Sequence, residues 1–124
     1  MTHHTRIADV ASFITKDGSV IRELMHPNTH SVRHQSFAEA RVPPGATTQL
    51  HRHHRSEEIY HITQGRGHMT LGSEQFDVNT GDTICIAPGT PHNIRNTGDV
   101  ELKILCACAP PYAHNDTELL GEET

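Results

Sequence analysis

Glycine and proline interrupt this chain every eight to twelve residues, and short runs rich in β-forming side chains lie between them. Seven of these runs are predicted to be strands, at 36–42, 47–53, 58–63, 67–71, 83–87, 92–96 and 100–108. The only helix candidates, 7–13 and 118–120, have weak periodicity and extend over about one turn. Many short and evenly spaced strands predict an all-β sandwich or closed barrel with little helix.

The charge and the cysteine content restrict the partners and the compartment. A formal net charge of -5, without a basic cluster interleaved with aromatic residues, argues against binding to nucleic acid or to an anionic membrane. No apolar run approaches the roughly 18 residues of a membrane span, and the N-terminal decapeptide lacks the apolar stretch of a secretory signal. Cys85, Cys106 and Cys108 have no disulfide-framework spacing, which favours reduced thiols in a cytoplasmic protein.

The length of 124 residues fits one domain with three parts. Residues 1–35 are expected to form lead-in strands around a hairpin turn at Asp17-Gly18, and they would pack on the barrel of the same chain or on a partner. Residues 36–110 form the predicted barrel. Residues 111–124 form a tail that could fold back over a pocket.

Two blocks of polar residues have spacings that suit a metal site. They are Gly45-x5-His51-x-His53-x4-Glu58-x6-Gly65 and Gly81-x7-Gly89-x2-His92-x3-Asn96. Side chains alternate faces along a strand, so His51 and His53 lie on one face of their strand. Strands that curl around one interior would bring His51, His53, Glu58 and His92 together, and these four are the predicted metal ligands. Glu57 would point outward beside Glu58.

The same alternation selects candidate pocket residues. If 47–53 is one strand, Thr47 and Gln49 line the interior with the histidines, although they could equally be polar positions on an exposed face. Tyr60 would share the face of the ligand carboxylate and could donate a proton as a catalytic residue, or it could be a core aromatic with a polar tip. Ile94 would line the pocket from the later strand. His61 is out of phase and is not expected to bind metal.

These blocks resemble the two conserved motifs of the cupin superfamily, and the resemblance covers residues 36–108. The first motif is matched in full when four residues separate the second histidine from the glutamate. The second motif is matched except that Ala87 stands where the family has proline, with Pro88 beside it. The gap between the motifs is similar to that of small microbial single-domain cupins.

The resemblance implies a double-stranded β-helix, or jelly roll, with one divalent transition metal per chain. In such proteins three histidines and one glutamate bind Mn, Fe, Ni, Co, Zn or Cu, and the ligand type does not choose among these ions. The implied function is a small metal-dependent enzyme of the dioxygenase, isomerase or lyase type that acts on a polar, oxygen-rich metabolite. The alternative is a non-enzymatic, metal-dependent module that binds or senses a small molecule. A homodimer is also implied.

Overall fold

The computed structural model describes residues 2–121, which form eleven strands and two short 3-10 turns. The strands are β1 (Ser12–Ile14), β2 (Val20–Met25), β3 (Ser36–Val42), β4 (His51–His53), β5 (Glu57–Gln64), β6 (Arg66–Leu71), β7 (Glu74–Asn79), β8 (Thr83–Ile86), β9 (His92–Asn96), β10 (Leu102–Ala109) and β11 (Thr117–Leu119). The turns span Ile7–Asp9 and His114–Asp116. Among the described residues, no helix has the length and apolar character needed to cross a membrane.

The strands form two antiparallel sheets, which confirms the predicted all-β jelly roll. The six-stranded sheet has the order β1-β2-β3-β10-β5-β8, and the five-stranded sheet has the order β11-β4-β9-β6-β7. The inward side chains of both sheets make the core, which includes Ile62, Met69, Ile94, Leu102 and Ile104. In β10 every second residue from Leu102 onward is buried, because alternate side chains of a strand point to opposite faces.

The largest departure from the predicted strands lies before the first histidine. The expected strand at 47–53 is confined to His51–His53, and Thr47 makes only an isolated bridge to Arg95. The irregular backbone from 47 to 50 does not continue the alternation of β4. Thr47 and Gln49 were expected to line the pocket only if 47–53 formed one strand, so this difference removes the basis for that expectation.

Three short segments also differ from expectation. The helix expected at 7–13 is a 3-10 turn followed by β1, and the helix expected at 118–120 is replaced by β11. β7 was not predicted, because it carries only two apolar residues, Phe76 and Val78, among four polar ones. Each of these strands is defined by the neighbour with which it pairs, since β1 pairs with β2, β7 with β6 and β11 with β4.

The predicted turn at Asp17-Gly18 is confirmed. It joins β1 to β2, and Gly18 adopts a φ of 92°, which an L side chain rarely takes. β2 in turn pairs with β3, so the hairpin extends the six-stranded sheet of its own chain.

Candidate metal centre

Three histidines from the five-stranded sheet meet inside the barrel. His51 and His53 lie on β4, and His92 lies on β9 as the direct cross-strand partner of His51. One ring nitrogen from each can be chosen so that all three lie within 4.8 Å of one another. All three side chains are buried. The alternation of β4 therefore places both of its histidines where the sequence predicts them, and the group is a possible metal site.

Glu58 approaches the same point from the opposite sheet. Its Oε1 atom lies 3.3 Å from Nε2 of His53 and 3.6 Å from Nε2 of His92. The neighbouring Glu57 is exposed, while Glu58 is only 6% exposed. The four predicted ligands thus come from three strands and two sheets.

The other ring nitrogen of each histidine is held by a hydrogen-bond acceptor. Nδ1 of His51 donates to the carbonyl of Gln49 at 2.8 Å, and Nδ1 of His92 donates to the carbonyl of Thr90 at 2.9 Å. Nδ1 of His53 lies 2.9 Å from Oγ1 of Thr117, whose own hydroxyl proton is donated to the Ala113 carbonyl. These contacts place a proton on Nδ1, so in the neutral form of each imidazole the lone pair is on Nε2, as in histidines that bind metals.

Two buried polar atoms in this group have no hydrogen-bond partner among the described residues. They are Nε2 of His92 and Oε1 of Glu58. Buried polar atoms without partners are costly, and here lone pairs face a carboxylate oxygen. A cation between them would satisfy every one of these atoms. The nitrogen and oxygen donors fit the divalent transition metals that the resemblance implies.

The protonation states of His51 and Glu58 also fit the binding of a divalent metal. Burial lowers the pKa of His51, and the neighbouring His92 lowers it further, so the imidazole is neutral at neutral pH. Burial raises the pKa of Glu58, but contact with the His53 and His92 imidazoles outweighs burial and lowers that pKa to about 2. A positive charge between these groups, whether a proton or a metal ion, keeps the carboxylate ionised.

A cavity of about 70 Å³ opens beside His51, His53 and Glu58, which is room for several water molecules. Its walls carry aromatic, small apolar, thiol and acidic side chains. They are Phe13, Thr15, Asp17, Ser19, Ile21, Glu23, Ser36, Ala38, Ala40, His51, His53, Glu58, Tyr60, Cys106, Cys108, Tyr112 and Thr117. Neither lysine nor arginine is among these lining residues.

Of the four candidate pocket residues, only Tyr60 lines this cavity. Burial, and then the charge of Glu58, raises the pKa of Tyr60 well above its usual value, so the phenol stays protonated and can act as a hydrogen-bond donor. The expectation for the other three is corrected. Thr47 and Gln49 are exposed because the backbone before His51 is not a strand, and Ile94 is buried in the core.

Asp17 is a cavity residue that sequence reasoning did not select. Its Oδ2 atom lies 3.7 Å from Nε2 of His51. The Asp-Gly pair signalled a turn, and nothing in the local pattern indicated that the turn folds toward a histidine 34 positions further along the chain. Glu23, from the same hairpin, also lines the cavity.

The tail and a buried thiol complete the surroundings. Tyr112 and Thr117 line the cavity, and Oγ1 of Thr117 accepts the hydrogen bond from Nδ1 of His53. The thiol of Cys108 donates to Oε2 of Glu58 at 3.4 Å. Burial raises the pKa of Cys108, as it does for Cys106, so both thiols are protonated neighbours of the site.

The comparisons with known proteins agree with this architecture. Residues 38–108 match the family model described as the Cupin domain. The chain belongs to the cupin family. An uncharacterized protein of Methanocaldococcus jannaschii is 58% identical over 116 residues, which cover 94% of this cupin and 93% of that protein.

Two further similar proteins have descriptive names. The oxalate-binding protein of Thermotoga maritima is 35% identical over 69 residues, which cover 56% of this cupin and 57% of that protein. The structure of the polyketide cyclase RemF from Streptomyces resistomycificus has a TM-score of 0.82 at 19% identity, over 99% of this cupin and 88% of RemF. The likeness to RemF shows a shared fold.

Proposed function

We propose that this cupin is a metal-dependent enzyme that acts on a small, oxygen-bearing molecule. One observation carries the proposal. The ring nitrogens of His51, His53 and His92 meet inside the barrel, the Glu58 carboxylate lies beside two of them, and two buried atoms of this group have no hydrogen-bond partner among residues 2–121. His51, His53, His92 and Glu58 would hold one divalent ion per chain, of Mn, Fe, Ni, Co, Zn or Cu. The bound ion would supply a Lewis acid that polarises a substrate oxygen.

The charge of the cavity favours an uncharged substrate. Asp17, Glu23 and Glu58 bring three carboxyl groups to the lining, and no lysine or arginine of residues 2–121 lines it. A phosphorylated or doubly anionic substrate would meet these carboxylates without a basic side chain to pair with. An uncharged ketone, enol or alcohol has no such penalty and can offer an oxygen to a cation.

Within this proposal, Tyr60 favours a reaction of the lyase or isomerase type. Its phenol lines the cavity and stays protonated, and its ring lies edge-on to that of His92 with centroids 6.0 Å apart. The phenol could therefore donate a hydrogen bond to a substrate oxygen on which negative charge develops, which is how many enzymes stabilise an enolate.

The test is a turnover screen of hydroxyketones, β-diketones and cyclic polyols. Each compound is assayed with chelator-treated protein, which is free of metal, and with metal-loaded protein. Each assay is run in air and under nitrogen, with His92→Ala as the inactive control. We expect metal-dependent product formation that is equal in both atmospheres and falls at least tenfold in Tyr60→Phe. Product that forms only in air would show that the reaction consumes dioxygen. That result would reject the lyase or isomerase type in favour of the dioxygenase type.

The second candidate is a non-enzymatic, metal-dependent binding module. It is favoured by the name of the oxalate-binding protein, with which this cupin shares 35% identity over 69 residues. Calorimetry with the same compounds and with oxalate separates the two candidates. Saturable binding to metal-loaded protein without turnover of any compound would support the binding module.

We also propose a homodimer in the cytoplasm. β1 forms an edge of the six-stranded sheet, and Phe13 and Ile14 on it are 48% and 74% exposed. An edge strand with exposed apolar side chains favours pairing with a second chain. The three cysteines are free, which is consistent with the reducing compartment expected from the sequence.

A further inference from the structure

Asp17 lies in the turn between β1 and β2, outside the segment that matches the family model. The turn is tied down by backbone hydrogen bonds from Gly18 to Thr15 and from Gln49 to Asp17 itself. Oδ1 of Asp17 accepts hydrogen bonds from the amide of Ser19 at 2.9 Å and from its hydroxyl at 2.7 Å. The carboxylate is therefore held in one orientation, and the residue is only 9% exposed.

The second carboxylate oxygen faces the metal centre. Oδ2 lies 3.7 Å from Nε2 of His51, and both hydrogen bonds that residues 2–121 give this carboxylate end on Oδ1. The separation is close to the 3.3 and 3.6 Å between Glu58 and its two histidines. Two donors that share an ion at bonds of about 2.1 Å lie roughly 3 to 4 Å apart, depending on the angle between the bonds.

The tautomer of His51 determines what its Nε2 atom presents to Oδ2 of Asp17. Its Nδ1 proton goes to the Gln49 carbonyl, so Nε2 presents a lone pair to the Asp17 oxygen. A lone pair and a carboxylate repel each other in a buried site unless a cation lies between them. Closing the turn uses Oδ1 alone, so the turn does not account for the contact between Oδ2 and His51.

We propose that Asp17 is a fifth protein ligand of the metal, supplied by the hairpin outside the matched cupin segment. The inference rests on the proposed metal centre and deepens it. Five protein ligands leave a six-coordinate ion one free position, so a substrate would bind through a single oxygen. The hairpin then belongs to the site and is more than a cover over it.

The test measures metal binding and uses no enzymatic assay. Co²⁺ is titrated into chelator-treated protein by competition with a coloured chelator, and the visible d–d spectrum of the loaded protein is recorded. Asp17→Asn keeps an oxygen for Ser19 and removes the ligand charge. Glu23→Gln is the matched control, since it removes another cavity carboxylate from the same hairpin that makes no ion pair with a ligand histidine.

We expect Asp17→Asn to weaken Co²⁺ binding at least tenfold and to change the d–d bands, whereas Glu23→Gln stays within twofold of wild type with an unchanged spectrum. The fifth ligand is overturned if Asp17→Asn binds within twofold of wild type with the wild-type spectrum. It is also overturned if both variants weaken binding equally without a spectral change, because that result indicates cavity charge alone. His51→Ala separates the two proposals: if it also binds like wild type, the whole centre fails.

Discussion

At the scale of single residues, the tautomer of each histidine is set by one acceptor. Gln49 and Thr90 provide backbone carbonyls, and Thr117 provides a hydroxyl oxygen. Because every Nδ1 is used in this way, only Nε2 is left to bind an ion, and the imidazoles have little freedom to turn. The site is organised before any ion enters.

The first prediction separates the two adjacent glutamates. Glu58→Gln should weaken divalent-metal affinity at least tenfold, because it removes the charged oxygen that faces His53 and His92. Glu57→Gln should stay within twofold, since Glu57 is exposed on the other face of β5. Competition titration with a chelator measures both affinities. The reverse order would mean that β5 is shifted by one residue, which exchanges the two faces of the strand.

Strand alternation predicted which of the candidate ligand side chains meet inside the barrel, and it predicted the pocket poorly. His51, His53 and Glu58 lie in or at the start of strands, so period-two alternation was enough to place them inside. Thr47 and Gln49 were placed inside by the same rule, which fails where the backbone is irregular. Asp17 could not be found this way, because its approach to His51 depends on how a distant hairpin folds.

At the scale of elements, the tail holds the loop that follows β4. Asp116 lies just before β11 and accepts hydrogen bonds from the amides of Arg55 at 3.0 Å and Ser56 at 3.2 Å. Burial raises the pKa of Asp116, but these amides and the Arg55 side chain outweigh burial and lower the pKa below its ordinary value. The tail thus connects Thr117, which orients His53, to the loop that leads into Glu58.

The second prediction concerns this loop. Asp116→Asn should lower the free energy of unfolding by about 2 kcal/mol at pH 7, because charge-assisted hydrogen bonds to the loop amides are lost. The pKa of Asp116 in the folded protein lies below its unfolded-state pKa of about 3.9, so its carboxylate stabilises the fold fully above that pH. This stabilisation is lost as the pH falls from about 3.9 toward the folded-state pKa. The difference from wild type should therefore be constant between pH 7 and 5 and shrink below about pH 4.

Urea denaturation of chelator-treated protein at several pH values measures this difference. Glu118→Gln is the control, since Glu118 pairs with Arg52 at a half-exposed surface position and should change stability by less than about 0.5 kcal/mol. An Asp116→Asn effect no larger than that of the control would show that the capping contact does not stabilise the loop.

The elements missed by the sequence analysis are those that depend on a partner strand. β11 has three residues and is defined by pairing with β4, and β7 is largely polar and is defined by pairing with β6. Neither contains a local pattern strong enough to predict it. The strands that carry the core, such as β10 and β5, have clear alternation and were predicted within two residues of their ends.

At the scale of the whole molecule, the site links the two sheets. The histidines come from one sheet, while Glu58 and the hairpin that carries Asp17 belong to the other. An ion held by both sheets would bind the folded barrel and not the unfolded chain, so it should stabilise the fold by mass action.

The third prediction is the pH dependence of that stabilisation. Imidazoles must be neutral to bind a metal, and the pKa of His51 is lowered by burial, so the site stays competent through neutral pH. The increase in melting temperature on adding Zn²⁺ should be constant from pH 8 to 7 and should shrink below about pH 6, where histidine protonation competes with the metal. Differential scanning calorimetry with and without Zn²⁺ measures it. An increase that stays constant down to pH 5 would argue against histidine ligands.

The fourth prediction concerns assembly. Ile14 is 74% exposed on the edge strand β1 and does not line the cavity. Ile14→Lys should shift the protein from dimer to monomer, because a charge on an edge strand opposes pairing. Sedimentation velocity at tens of micromolar gives the mass, with Thr63→Lys, an exposed position in β5, as the control. A wild-type monomer, or a dimer unaffected by Ile14→Lys, would reject this interface.

The number of metal ions bound per chain, in protein expressed without a histidine tag, tests the proposed metal centre itself. Elemental analysis after saturation with Zn²⁺ and gel filtration should give one ion for wild type and for His61→Ala, whose histidine hydrogen-bonds Thr83 and lies outside the cavity. The same measurement should give less than about one tenth of an ion for His51→Ala and His92→Ala, each of which loses a ligand. One ion per chain in both of these variants would show that these histidines do not hold the metal.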